Sequence, residues 1–207
     1  MSNDDPGLDA AYALRGPDDS RRLYRRWAET YDSDFATGEG YALPDHVAAA
    51  FVDAGGRGPV LDVGAGTGLV GERLAALDVG PVEGCDISPE MLEIADRKGV
   101  YARLFEADIT AGLPAGTGPY AGVVSAGTFT LGHVGPEALA TLLDAAAPGA
   151  AFALSVNAAH WRAAGFDAAL EALGDRIVER RLREVPIYQG DGANRPDTAQ
   201  ILSFARL

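Results

Sequence analysis

From about residue 58 onwards, short apolar runs alternate with segments in which apolar side chains return every three or four positions. "GPVLDVG" is an apolar run bounded by glycines, the pattern of a strand covered on both faces. "GLVGERLAAL" follows with Leu69, Val70, Leu74 and Leu77 at helical spacing. "PVEGCDI" predicts a second strand, "YARLFEAD" a third, "YAGVVSAG" a fourth and "AAFALSVN" a fifth. Between the second and third, "SPEMLEIADRKG" carries helix punctuation: Ser88 at the N-cap, Pro89 at the first helical position, Glu90 in the first turn, Lys98 in the last and Gly99 beyond it. "GPEALATLLDAAAPG" predicts a helix ended by Pro148-Gly149. "WRAAGFDAALEALG" predicts one amphipathic helix, with Phe166, Ala169, Leu170 and Leu173 on its apolar face. This alternation is that of an α/β doubly wound fold, a largely parallel sheet with helices on both faces.

Both ends depart from the alternation. "RIVERRLREVPIY" and "AQILSFARL" are separated only by the turn-rich "QGDGANRPD", which predicts an antiparallel pair at a sheet edge. At the other end, "DSRRLYRRWAETYD" places Leu23, Tyr24, Trp27, Ala28 and Tyr31 on one helical stripe, and "LPDHVAAAFVDAGG" is a second helix. Residues 1–57 are therefore expected to form a helical cap packed on a domain of residues 58–207, one globular domain overall.

Composition narrows the function. The 207 residues are 47% hydrophobic and 23% charged, ordinary for a globular protein. No apolar run approaches the roughly 18 residues of a membrane span. The start, "MSNDDPGLDAAYAL", is acidic where a signal peptide is basic, so a cytoplasmic protein without membrane association is expected. A net charge of −13 opposes a phosphate backbone over most of the surface, and the two basic clusters, "RRLYRR" and "ERRLRE", are short and interrupted. Nucleic acid is not an expected partner. The single cysteine, Cys85, leaves no internal disulfide and no cysteine-rich metal site.

The chemistry concentrates in "VLDVGAGTGLVGERL". Gly66, Gly68 and Gly71 spell the dinucleotide fingerprint G-x-G-x-x-G, whereas Gly64, Gly66 and Gly68 spell G-x-G-x-G two residues after an acid, the pattern of S-adenosylmethionine (SAM) sites. In an open parallel sheet either ligand binds outside the carboxyl ends of the strands, and Asp86, 20 residues after Gly66, suits the ribose of both. Three features favour SAM. Asp62 lies directly ahead of the glycines, where it repels a pyrophosphate and attracts a cationic methionine end. Gly64 has no place in the dinucleotide pattern. Asp108 ends the third strand, placed to accept from an adenine amino group, with the apolar Ile109 beside it.

Taken in order, "VLDVGAGTG", "CDIS", "ADIT" and "PGAAFALSV" resemble the class I SAM-dependent methyltransferases, over residues 58–207. "YRRWAETYD" and "SAGTFTLGHVGPEAL" are similar, more narrowly, to the small methyltransferases akin to the Williams–Beuren syndrome region methyltransferase. The resemblance implies a Rossmann-like seven-stranded sheet with its sixth and seventh strands antiparallel to the rest, and SAM as cofactor, leaving as S-adenosylhomocysteine (SAH). It implies that Asp62 and the backbone of Gly64, Ala65, Gly66, Thr67 and Gly68 hold the amino-acid end of SAM. Asp86 takes the ribose hydroxyls, Ile87 packs on adenine, Asp108 binds its amino group and Ile109 closes its other face. Ser125, at the end of the fourth strand, lies where the methyl group points. Each has a plainer alternative: Asp62 as a brace for the loop, Ile87 and Ile109 as core.

The Asn/Asp-Pro-Pro-aromatic element of many methyltransferases acting on nucleobase amines is replaced here by "SAGTFT", which together with the acidic surface points to a small-molecule acceptor. A base is needed only where the nucleophile loses a proton as it attacks. His133, in "TFTLGHV", and His160, in "VNAAHW", follow the fourth and fifth strands and are the candidates, with His46 in the prefix a weaker one; bracing a loop is the plainer role of each. Thr128 and Thr130 are candidates to line the acceptor pocket with His133, and Tyr24, Trp27 and Tyr31 to close over SAM as an aromatic lid. A SAM-binding sensor or scaffold without turnover, and an NAD-dependent oxidoreductase, are the competing functions.

Overall fold

β1 (Val60–Val63) is four residues long and wholly buried, as a strand covered on both faces must be. The computed structural model describes residues 40–131, 133–189 and 197–207. Among these, α1 (Leu43–Asp53) precedes β1, and α2 (Leu69–Ala76), β2 (Val82–Asp86), α3 (Pro89–Arg97), β3 (Arg103–Glu106) and β4 (Tyr120–Phe129) follow it. Then come α4 (Ala138–Asp144), β5 (Ala146–Asn157), α5 (Ala158–Ala164), α6 (Phe166–Leu173), β6 (Ile177–Pro186) and β7 (Thr198–Arg206). The seven strands form one sheet in the order β3-β2-β1-β4-β5-β7-β6. β1 to β5 are parallel, and the strand order reverses between β1 and β4.

Strand alternation divides the core into two layers. Leu61 and Val63 face a layer built with Leu142 of α4, Trp161 of α5 and Phe166 of α6. Val60 faces the other, built with Val47 and Phe51 of α1 and Val70 and Leu74 of α2. By the same period of two, Asp62 lies on the α1–α2 side. α1 thus shares its apolar cluster with β1, β4 and β5 rather than standing apart from the sheet.

α3 follows its sequence signals closely. Ser88 caps it, its Oγ accepting from the Met91 amide at 3.3 Å; Pro89 opens the helix, and Gly99, just beyond the end, has φ +66°. Elsewhere the structure corrects the pattern. "WRAAGFDAALEALG" forms two helices, because Gly165 (φ +75°) ends α5 and starts α6. The break lets Trp161 stack on Phe166, ring centroids 5.3 Å apart and planes 19° from parallel, so the apolar repeat read from Phe166 onward describes α6 alone. α4 ends at Asp144, and Pro148 and Gly149 fall within β5, where its pairing with β4 slips between Ala146 and Ala151.

The edge pair forms as expected, β6 antiparallel to β7, and the charges of "ERRLRE" are exposed along β6. β7 is also antiparallel to β5. Two reversals in succession make β6 run with β1 to β5, so β7 alone opposes the rest of the sheet.

Candidate active site

At the carboxyl ends of β1, β2 and β4, beside the reversal of strand order, lies a cleft of about 830 Å³ counted out to its open mouth. Gly64 and Gly66 reach it from the loop after β1, Asp86 and Ile87 from the end of β2, and Asp108, Ile109 and Thr110 from the turn after β3. Ala126, Gly127, Thr128 and His133 complete its wall from β4 and the segment beyond.

β4 reaches the cleft through a bulge. Ser125 pairs with Leu154 and Phe129 with Val156, so four steps along β4 match two along β5. The three residues between, Ala126 to Thr128, stand opposite the single Ser155 and are pushed out of register into the wall, the usual effect of a bulge beside a site. This moves the end of the strand past the expected Ser125. Ser125 is wholly buried and donates its Oγ proton to the Val63 carbonyl at 2.7 Å, so it does not face the cleft. Thr128 Oγ1 donates to the same carbonyl at 3.0 Å.

The glycines of the loop serve different needs. Gly64 has φ +67°, and a Cβ there would overlap Thr128 Oγ1. Gly66 has φ +54° and open space beyond its Cα, which is the bare backbone a ligand can approach. Gly71, the residue that made the dinucleotide pattern possible, lies inside α2 against the ring of Tyr101 and does not border the cleft. Ala65, Thr67 and Gly68 also stay out of the wall: Ala65 and Thr67 are buried, and Gly68 is the N-cap of α2 with φ +91°.

Of the three acids, two border the cleft. Asp86 accepts from the Gly66 amide (2.8 Å) through Oδ2 and from the Ser88 amide (2.9 Å) through Oδ1. Burial raises its pKa above the usual carboxylate range, opposed by the amides of Ser88, Gly66 and Ile87. Asp108 holds the turn after β3, its Oδ1 accepting from the amide and the hydroxyl of Thr110 at 2.9 and 2.6 Å. Asp62 differs from expectation. Strand alternation turns it to the α2 side, where it is wholly buried, and Oδ2 accepts from Tyr101 Oη at 2.7 Å. Burial, with the nearby charge of Asp86, pushes its pKa up to about 7 against the Tyr101 hydrogen bond. Its Oδ1 has no hydrogen-bond partner.

The histidines separate clearly. His133 borders the cleft beside Thr128. His160 does not: its Nε2 donates to the Val134 carbonyl at 2.9 Å and its ring meets Phe166 edge-on, so it braces the wall from behind. His46 lies on α1 with Gln189 3.3 Å from its Nε2. Thr130 is likewise absent from the wall; its carbonyl accepts from the His133 amide at 3.1 Å. Tyr24, Trp27 and Tyr31 lie outside the described residues. Cys85 belongs to the lining of the cleft but is buried, and burial pushes its thiol up to about 12, which keeps it protonated and unreactive.

Sequence reasoning missed Met91 and Ala107, whose apolar surface adjoins Ile87 and Ile109, and the bulge residues Ala126 and Gly127. Met91 was readable as the buried face of α3, but only the packing of α3 on β2 brings it to the cleft. Among the described residues, no three His, Cys, Asp or Glu side chains are grouped to hold a metal, and no helix is long and apolar enough to cross a membrane.

Residues 60–151 match a family described as "Methyltransferase domain". Human methyltransferase-like protein 27 is 33% identical over 177 residues, an alignment covering 81% of this chain and 70% of that protein. Among solved structures, magnesium protoporphyrin IX methyltransferase of Synechocystis with bound SAM superposes with a TM-score of 0.62 at 22% identity, covering 92% of this chain and 97% of that one. The DhpI–SAH complex does so with a TM-score of 0.63 at 20% identity, covering 92% and 96%. These two likenesses establish the fold. The identity shared with the human protein over most of both chains settles the family, and with it the choice between the two glycine patterns: the chain belongs to the class I SAM-dependent methyltransferases.

Proposed function

We propose that the cleft is where SAM binds and that the chain transfers its methyl group to a small-molecule acceptor by in-line displacement. The carrying observation is that Gly66, Asp86 and Asp108 converge on one cleft whose wall also holds Thr128 and His133. The donor set fits the cofactor. Asp86 has a carboxylate oxygen on each side and about four acceptor sites in all, two of them used by loop amides, which leaves room for a ribose diol. Ile87, Met91 and Ile109 offer apolar surface to adenine, and Asp108 an acceptor for its amino group. The backbone of Gly64 and Gly66 is left for the amino-acid end. When bound, SAM supplies a methyl group on a sulfonium, whose leaving group needs no activation.

The chain's own task is therefore alignment and exclusion of water, for which positioning is worth roughly 7–11 kcal/mol. The bulged backbone from Ala126 to Thr128 forms the rigid wall on the acceptor side. His133 is the candidate to contact the acceptor or take its proton. Replacement of His133 by alanine is expected to lower turnover several-fold and leave SAH affinity as it was; equal turnover would remove it from the mechanism.

A small acceptor fits the net charge of −13, which disfavours polyphosphate partners. The exposed arginines of β6 do not alter this, since β6 lies at the sheet edge beyond β5 and β7 and Glu179 and Glu184 flank its arginines. Thermal unfolding with SAM, SAH and NAD(H) tests the cofactor reading. A ligand at 100 times its Kd adds about 2.7 kcal/mol, and the two adenosyl sulfur compounds are expected to do so while NAD(H) does not. Conversion of SAM to SAH is then expected with one member of a panel of small phenols, amines, thiols and carboxylic acids. Conversion only with tRNA or DNA would overturn the small-acceptor reading.

A further inference from the structure

Tyr101, just before β3, joins three parts of the chain that the cofactor loop depends on. Its hydroxyl donates to Asp62 Oδ2 at 2.7 Å and accepts from the Gly71 amide at 3.2 Å. Its ring fills the space where side chains at Gly68, Gly71 and Gly84 would stand. The Gly71 amide belongs to the first turn of α2, where a helix has no carbonyls to offer its own N–H groups. The N-cap is Gly68, with no side chain to cap that turn. Tyr101 supplies the missing acceptor from 30 residues away, and the same hydroxyl ties the turn to the one bonded oxygen of a buried carboxylate in β1. Gly64 to Gly68, the stretch between these two anchors, has its shape set at both ends.

We infer that Tyr101 is a positioning residue for the cofactor: its hydroxyl, held between Asp62 and the Gly71 amide, fixes the turn from β1 into α2 and so the backbone at Gly64 and Gly66 that faces the cleft. Asp62 then acts on the cofactor through the loop and not by touching it. This inference rests on the cleft being the SAM site. It also gives Gly71 a reason independent of any ligand, since a larger residue there would displace the Tyr101 ring.

The test is Tyr101→Phe, which keeps the ring and removes only the hydroxyl. Two readings are needed: SAH affinity by calorimetry, and amide hydrogen exchange without ligand. The variant is expected to bind SAH at least tenfold more weakly. Its amides from 64 to 71 are expected to exchange at least tenfold faster, while those of α4, on the opposite face of the sheet, keep their rates. Affinity within twofold of wild type together with unchanged exchange would overturn the proposal, as would acceleration spread evenly over α4, which would mean a general loss of stability. If the variant does not fold, wild-type exchange decides: the Gly71 amide must be protected well beyond the other first-turn amides of α2, and equal rates would overturn the role. Wild type that fails to bind SAH would defeat the cofactor reading, and the exchange data would still judge the loop.

Discussion

Asp86→Asn is expected to weaken SAH binding by a hundredfold or more, about 2.7 kcal/mol. The carboxylate accepts from two backbone amides on different segments, Gly66 in the loop after β1 and Ser88 at the cap of α3. Asparagine has one oxygen and one NH2 group, so one of these amides would face a donor. Hydrogen bonds to a charged partner contribute about 1.5–3 kcal/mol each. Losing the Gly66 bond frees the residue whose backbone is open to the cleft; losing the Ser88 bond loosens the entry to α3, which carries Met91. On the proposed assignment the same carboxylate also accepts from the ribose, so the contact to ligand and the scaffold behind it weaken together. Calorimetry on the folded variant measures this. Affinity within threefold of wild type would mean that neither the ribose contact nor the shape of the loop depends on the Asp86 carboxylate.

Half of the residues that line the cleft were legible in the sequence, because that half is local. A glycine loop after a buried strand, an acid at the end of the next strand and an apolar residue after each acid are features of short segments whose placement the α/β pattern dictates. Asp86 with Ile87, and Asp108 with Ile109, accordingly border the cleft. Ser125 failed because its expected position assumed a regular end to β4; the bulge depends on pairing with β5, which no local pattern records. His133 and His160 look alike in sequence, each a few residues beyond a strand. Only the fold brings the Val134 carbonyl to His160 and the cleft to His133. Gly165 is the reverse case, a glycine inside a segment read as one helix; its left-handed conformation ends α5 and starts α6, and the apolar repeat that suggested one helix lies wholly on the α6 side of it.

Asp62 shows both limits. Its side of the sheet followed from parity with Val60, but its partner lies 39 residues away in Tyr101, beyond any spacing argument. That burial has a measurable consequence. The folded-state pKa is raised to about 7, against an ordinary value of 3.8, chiefly because the carboxylate is desolvated. Between these two values the folded protein binds a proton at Asp62 that the unfolded chain has released, so stability falls as pH rises from about 4 to about 7, and the penalty is complete above that. A difference of about 3 pKa units corresponds to roughly 4 kcal/mol. Asp62→Asn, which cannot ionise and still offers Tyr101 an oxygen, is expected to be no more stable than wild type at pH 4 and more stable by up to this amount at pH 8. Urea unfolding of both proteins across that range gives the answer. Asp86 is raised in the same direction, and because its charge interacts with that of Asp62, the Asp62→Asn substitution also eases ionisation of Asp86, so the comparison reads the pair rather than Asp62 alone. Parallel profiles for the two would show that Asp62 ionises at its ordinary pKa, and hence that water or a ligand reaches its unpartnered oxygen.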